Sequence, residues 1–225
     1  MTYDEVISVP LPQKTRSYTP VSNEDIISLV KDQIEIFIPE YEIIKESYYL
    51  SKDQQRLITR FDLMHPELKA QMPLCVLVKN SYDKTTSTAI GTGISWDDTV
   101  LLRAEDIYLF RKHTKNVFTG LSANIAESLD SAVRRYTELI QLVTILKEVP
   151  CSETQAFALF GIARGYGAIG TRAMSDAYKK WAIKSGESNL WDVVVNMLGY
   201  IEERGEPRDM MEDAGKVGSL VQVLP

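Results

Sequence analysis

Apolar positions recur along this chain with two different periods, and the change from one to the other divides it. Ile26, Ile27, Val30, Ile34 and Phe37 fall on one face of a helix. Ser22 caps its start, with Asp25 three residues on, and Pro39 stops it. From Tyr41 to Arg111 the pattern turns β-like. Tyr41–Leu50 is rich in Ile and Tyr, and Ser51-Lys52-Asp53 is a turn. In Gln55–Leu63, Leu57, Phe61 and Leu63 take one face while Arg56, Ile58, Arg60 and Asp62 take the other. Pro73–Val78 is continuously apolar, which suits a strand buried on both faces. Thr88–Ile94 places Ala89, Gly91 and Gly93 on one nearly bare side, where a helix or another backbone can approach closely. Asp97-Asp98 turns the chain into a further strand, Thr99–Arg103.

Beyond Gly120 the period becomes helical. Ser122 is the N-cap candidate, and Ile125, Leu129, Val133, Tyr136, Ile140, Val143 and Leu146 form a long apolar stripe that Pro150 ends. Ser152-Glu153-Thr154-Gln155 is a full capping box. It opens a helix to about Arg164, followed after a glycine-rich break by Thr171–Lys184, Asn189–Arg204 and Arg208–Leu224. Strands first and helices later predict an α+β fold, with an N-terminal antiparallel sheet of about five strands and a C-terminal helical half. Residues 1–21, with Pro10, Pro12 and Pro20 and no helical period, read as an extended arm. Residues 22–120 hold a helix and the sheet, and 121–225 the helical part, packed as one unit with the sheet.

With 225 residues the chain has enough length for a proper core, and no apolar run approaches the length of a membrane span. MTYDEVISVP lacks the basic start and apolar stretch of a secretory signal. Two cysteines, Cys75 and Cys151, build no disulfide framework and fit a reducing compartment. The net charge of −6 argues against an all-over nucleic-acid binder but leaves room for a local basic patch. Only the stretch 79–115 is not net negative, with six Lys and Arg against five acids.

The motifs for catalysis are weak. Gly165-Tyr166-Gly167-Ala168-Ile169-Gly170 spells a dinucleotide fingerprint but follows a helix instead of a strand, so it reads as an interhelical break. Met210 stands where a phosphate loop ending in Gly215-Lys216 needs its first glycine, and Val217 where it needs Ser or Thr. His65, Cys75, His113 and Cys151 are too scattered for a structural zinc. The acidic pairs Asp97-Asp98, Glu105-Asp106 and Glu202-Glu203 read as solvated turns and faces. No nucleophile elbow accompanies the two histidines. No enzyme activity, cofactor or metal is expected.

The remaining signal is basic and aromatic. No acid lies between Asp106 and Glu127, a stretch holding Arg111, Lys112, His113 and Lys115 beside Tyr108, Phe110 and Phe118. Lys79, Tyr82 and Lys84 sit at a strand end and turn, and Arg56 and Arg60 share a strand face. Phosphates favour such charge and bases stack on exposed rings, so Arg56, Arg60, Lys79, Tyr82, Lys84, Arg111, Lys112, His113 and Lys115 are the candidate nucleic-acid contacts. Solvated loop charges around core rings are the plainer alternative.

Several segments resemble a known family. Thr15–Ser22 resembles the start of some phage proteins. Asn80-Ser81-Tyr82-Asp83-Lys84 and Phe110-Arg111-Lys112-His113-Thr114-Lys115-Asn116 are similar to segments of a phage/plasmid-like family of unknown function found on mobile elements. Asn189–Asn196 and Ala214-Gly215-Lys216-Val217 resemble its late helices, in the same order. Members often carry a cysteine-asparagine pair in the strand before the basic run, and here that strand reads Thr99-Val100-Leu101-Leu102-Arg103-Ala104. The resemblance implies a phage or mobile-element protein acting in the cytoplasm of a host bacterium, among replication, recombination and anti-restriction genes. Two functions follow as expectations. One is a DNA-metabolism protein that binds single-stranded nucleic acid, related to annealing or recombination and a homo-oligomer by analogy. The other is an interaction protein that inhibits a host defence or transcription factor, with the acidic surface meeting a basic partner.

Overall fold

A computed structural model describes residues 1–16, 18–68, 72–110, 117–183, 188–204 and 210–222. Five strands, β1 (Glu42–Leu50), β2 (Arg56–Met64), β3 (Leu74–Ser81), β4 (Thr88–Trp96) and β5 (Thr99–Phe110), form one antiparallel sheet in chain order. Two helices precede it, α1 (Tyr3–Ile7) and α2 (Asn23–Phe37). Five follow it: α3 (Val117–Glu148), α4 (Glu153–Gly165), α5 (Thr171–Ile183), α6 (Leu190–Arg204) and α7 (Met210–Val221). The fold is α+β, a sheet followed by a helical half.

The register explains why both sides of the sheet are buried. Arg60, Leu77, Gly91 and Ile107 are paired across neighbouring strands and share one face, which α6 and α7 cover. Thr59, Val78 and Ile90 share the other, against α2 and α3. One apolar core runs from Val6 to Val221 through all three layers. The 1–21, 22–120 and 121–225 segments therefore contribute to a common interior. No helix among the described residues is long and apolar enough to cross a membrane.

The bare side of β4 is where α7 docks. A Cβ on Gly91 would lie 3.3 Å from Met211 Sδ. From the helix side, a Cβ on Gly218 would lie 1.9 Å from the Leu102 carbonyl oxygen, and one on Gly215 2.8 Å from Ile107 Cδ1. Helix backbone thus rests directly on strand backbone, and the Ala104 N–H donates to Ser219 Oγ at 3.0 Å. Opposite Gly91–Gly93, β5 steps from Ile107 to Leu102, so Arg103–Asp106 bulge out of the ladder. Asp106 is buried there and ion-paired with both Arg103 and Arg135 of α3.

Local signals set the helix ends. Ser22 accepts from the Asp25 N–H, and Ser152 and Gln155 close the capping box of α4. The glycine-rich segment is the break between α4 and α5, with Gly167 at φ 69°. Three expectations shift. The arm contains α1, closed by a Thr2–Glu5 capping box and too short to show a period. Phe37 is half exposed, because Ile38 leaves helical geometry and turns inward in its place. Helix α3 starts at Val117 before Ser122, whose hydroxyl instead donates to Gln33 Oε1 of α2 at 3.1 Å.

Candidate binding cleft

The expected phosphate track does not form among the described residues. Arg60, 1% exposed, points into the layer under α6. Its Nε donates to Asp62 Oδ1 at 2.8 Å and its Nη1 to Glu202 Oε1 at 3.3 Å. The same guanidinium donates to the carbonyls of Asp97 and Asp98, which ties the β4–β5 turn to β2. Lys79, also 1% exposed, pairs with Glu212 of α7. A buried cation already matched to a carboxylate has no charge left for a phosphate, and exposing it would leave that carboxylate unpaired. Burial raises the pKa of Glu202, opposed by the Tyr49 hydroxyl and Arg60.

The Asn80–Lys84 segment is an anchor for the N-terminal arm. Asn80 Nδ2 donates to the Val21 carbonyl and to Asn23 Oδ1, both at 3.0 Å. Tyr82 is buried, and its hydroxyl accepts the Asn23 N–H at 2.8 Å, so its ring is not a stacking platform. Arg56 Nε donates to Asp83 Oδ2 at 2.7 Å. Lys84 is the exposed member, with Nζ 4.5 Å from the ring centre of Tyr18. Arg111, Lys112, His113 and Lys115 lie outside the described residues.

Burial works against ionisation of Asp83, but donors from Ser81, Thr85 and Arg56 outweigh it and hold its pKa well below the usual carboxylate range. Its stabilising contribution is therefore present above the unfolded pKa, near 4, and lost as the pH falls toward the folded value. Asp83→Asn is expected to destabilise the fold at neutral pH and to have a smaller effect in acid, measured by urea unfolding at several pH values.

A large concavity lies elsewhere. A cleft of about 840 Å³ opens where the β4–β5 turn, the α3–α4 junction, the end of α5 and the start of α6 meet. All three tryptophans of the chain line it: Trp96, Trp181 and Trp191. Trp96 and Trp191 meet edge to face with centroids 5.9 Å apart. Trp181 Nε1 donates to Ser188 Oγ at 2.9 Å, whereas Trp191 Nε1 is buried without a hydrogen-bond partner among the described residues. Lys147 Nζ stands 3.7 Å from the ring centre of Trp96. Burial lowers the pKa of Lys147, partly offset by Asp192, and raises that of Cys151 in the same wall.

The charge of the lining is acidic. Among the described residues, the lining carries Asp97, Glu153 and Asp192 against one ammonium, Lys147. Two helix N-termini reach the rim but are already satisfied. Ser152 and Gln155 cap α4, and Asn189 and Asp192 cap α6 reciprocally, each backbone N–H to the other's side chain at 3.0 Å. Their positive ends therefore offer little to an anion. Aromatic walls with an excess of carboxylates suit a flat or alkylated cation. Among the described residues, no three His, Cys, Asp or Glu side chains gather into a metal-binding set.

Sequence reasoning did not find this cleft, because its tryptophans sit on three separate elements with no common spacing. The available signal was indirect: the Asn189 cap and the capping box after Pro150 place two helix starts near one another only once the chain is folded. Comparison with protein-family models, curated proteins and solved structures found no match for this chain.

Proposed function

We propose that this protein is a non-catalytic interaction protein that takes a basic side chain of a protein partner into the tryptophan cleft. The observation that carries the reading is the meeting of all three tryptophans with, among the described residues, three carboxylates and one ammonium. An arginine or alkylated lysine would lay its cation on an indole face and its charge near Asp97, Glu153 or Asp192. Lys147 on Trp96 supports this, since a cation already rests on that wall. A volume of about 840 Å³ admits a side chain with its flanking backbone. A phage-encoded inhibitor of a host factor is the wider setting this reading fits.

The single-strand nucleic-acid reading loses Arg60, Lys79 and Tyr82 to internal partners, and the cleft's acidic lining repels phosphate. It is an outcome of the same test. Tryptophan fluorescence is followed while an arginine-rich peptide or a short single-stranded oligonucleotide is added at low and moderate salt. The peptide is expected to shift the emission and the oligonucleotide to leave it unchanged. Trp96→Leu is expected to weaken peptide binding about tenfold. Lys147→Gln removes the like charge and is expected to strengthen it. Salt-sensitive oligonucleotide binding with a silent peptide would overturn the reading and restore the nucleic-acid one.

A further inference from the structure

Helix α4 lies at the surface and carries large apolar side chains outside its buried face. Its inner face, Ala156, Leu159, Phe160 and Ala163, is buried. Its outer face carries Thr154, Ala158, Gly161 and Gly165 in a row of small residues, all exposed. Large apolar side chains flank that row. Phe157 is 57% exposed on one side, and Ile162 and Tyr166 are 42% and 70% exposed on the other. Contiguous exposed apolar surface marks a contact site. A Cβ at Gly161 or Gly165 meets nothing within 4 Å, so packing within the chain does not require glycine at either position.

The charges on this face identify what covers it. Glu153 and Arg164 lie on the Phe157 flank, at opposite ends of the helix, about 16 Å apart along the axis. Arg164 is exposed and makes no ion pair among the described residues. Glu153 uses Oε1 to accept the Tyr178 hydroxyl at 2.6 Å, and its second oxygen has no hydrogen-bond partner among the described residues. A two-fold axis perpendicular to two antiparallel α4 helices brings Arg164 of each copy against Glu153 of the other, on the same flank. That register also sets Phe157 of one copy opposite Gly161 of the other and Ala158 against its own equivalent at the axis. Ring meets gap, small meets small, and cation meets carboxylate twice.

We infer that α4 is a self-complementary face through which two copies of this chain form an antiparallel, two-fold dimer. Isologous contacts of this kind need residue i to suit residue j in both directions, which Glu153–Arg164 and Phe157–Gly161 satisfy. A different apolar partner would need no such pairing of ends. Glu153 also lines the cleft, so Gly161→Leu, which leaves the cleft lining untouched, separates this inference from the cleft reading.

Light scattering after size exclusion, over a range of protein concentrations, reads the state directly. The full chain is expected to scatter at twice its own mass. Gly161→Leu fills the gap that Phe157 of the other copy needs and is expected to give a monomer with an unchanged circular-dichroism spectrum. Arg164→Glu and Glu153→Arg are each expected to give monomers, and the two changes together to restore the dimer. A monomeric wild-type chain at high concentration overturns the inference. So does a dimer that persists in Gly161→Leu, or a charge-swapped double variant that stays monomeric.

Discussion

Gly218→Val is expected to abolish cooperative folding. A Cβ at this position would stand 1.9 Å from the Leu102 carbonyl oxygen and 2.7 Å from its carbon, both main-chain atoms that cannot swing aside. Relief requires lifting α7 from β5. That uncovers Val217, Met211 and Val221, which are fully buried, and strips Lys79 of its Glu212 partner. Overpacking alone costs about 1–3 kcal/mol in cores that can adjust. Here backbone meets backbone, and the loss of the helix's apolar face adds to it, so the total approaches the whole stability of a typical domain, about 5–15 kcal/mol. Thermal unfolding followed by circular dichroism checks this: a transition within a few degrees of wild type would show that α7 is not seated on β5 as described. Gly120→Ala, in the open on α3, is the matching control and is expected to leave the transition in place or raise it.

Arg60→Leu is the second large effect. The leucine leaves Asp62 and Glu202 buried without their cation and frees the Asp97 and Asp98 carbonyls from the guanidinium. Breaking a buried pair by removing one partner typically costs about 3–5 kcal/mol, far more than the pair contributes over an apolar replacement. The deficit is expected to shrink as the solution is acidified. Glu202 already has a raised pKa from burial, so the folded state holds its proton more readily than the unfolded one, and acid favours the fold at this residue. Combining Arg60→Leu with Glu202→Gln and Asp62→Asn is expected to recover much of the loss. Urea unfolding of the single and triple variants at neutral and acidic pH decides the matter. Equal instability of both at every pH would exclude an unpaired charge as the cause.

Most of the fold was legible because its signals are local. Ser22, Ser152 and Asn189 cap helices through atoms within three residues, and a continuous apolar run such as Pro73–Val78 is buried whichever way the sheet faces. The bare side of β4 announced a close helix, and its glycines match those of α7. The site was illegible for the same reason. Arg60 and Lys79 look like surface charges in sequence, and only residues more than a hundred positions away, Glu202 and Glu212, reveal them as interior. The motif Asn80–Lys84 has the composition of a phosphate turn, yet its donors and acceptors serve the arm and α2. The tryptophan cleft depends on three elements meeting, which no spacing encodes.

The Arg103–Asp106 excursion has an effect beyond seating α7. β5 is an outer strand of the sheet, and an unbroken outer strand invites a stranger's chain to zip along its free amides and carbonyls. Lifting four residues out of line, and locking them with arginines from β5 and α3, interrupts that rail midway. A main chain interrupted midway gives an incoming strand no continuous ladder to extend along this rim.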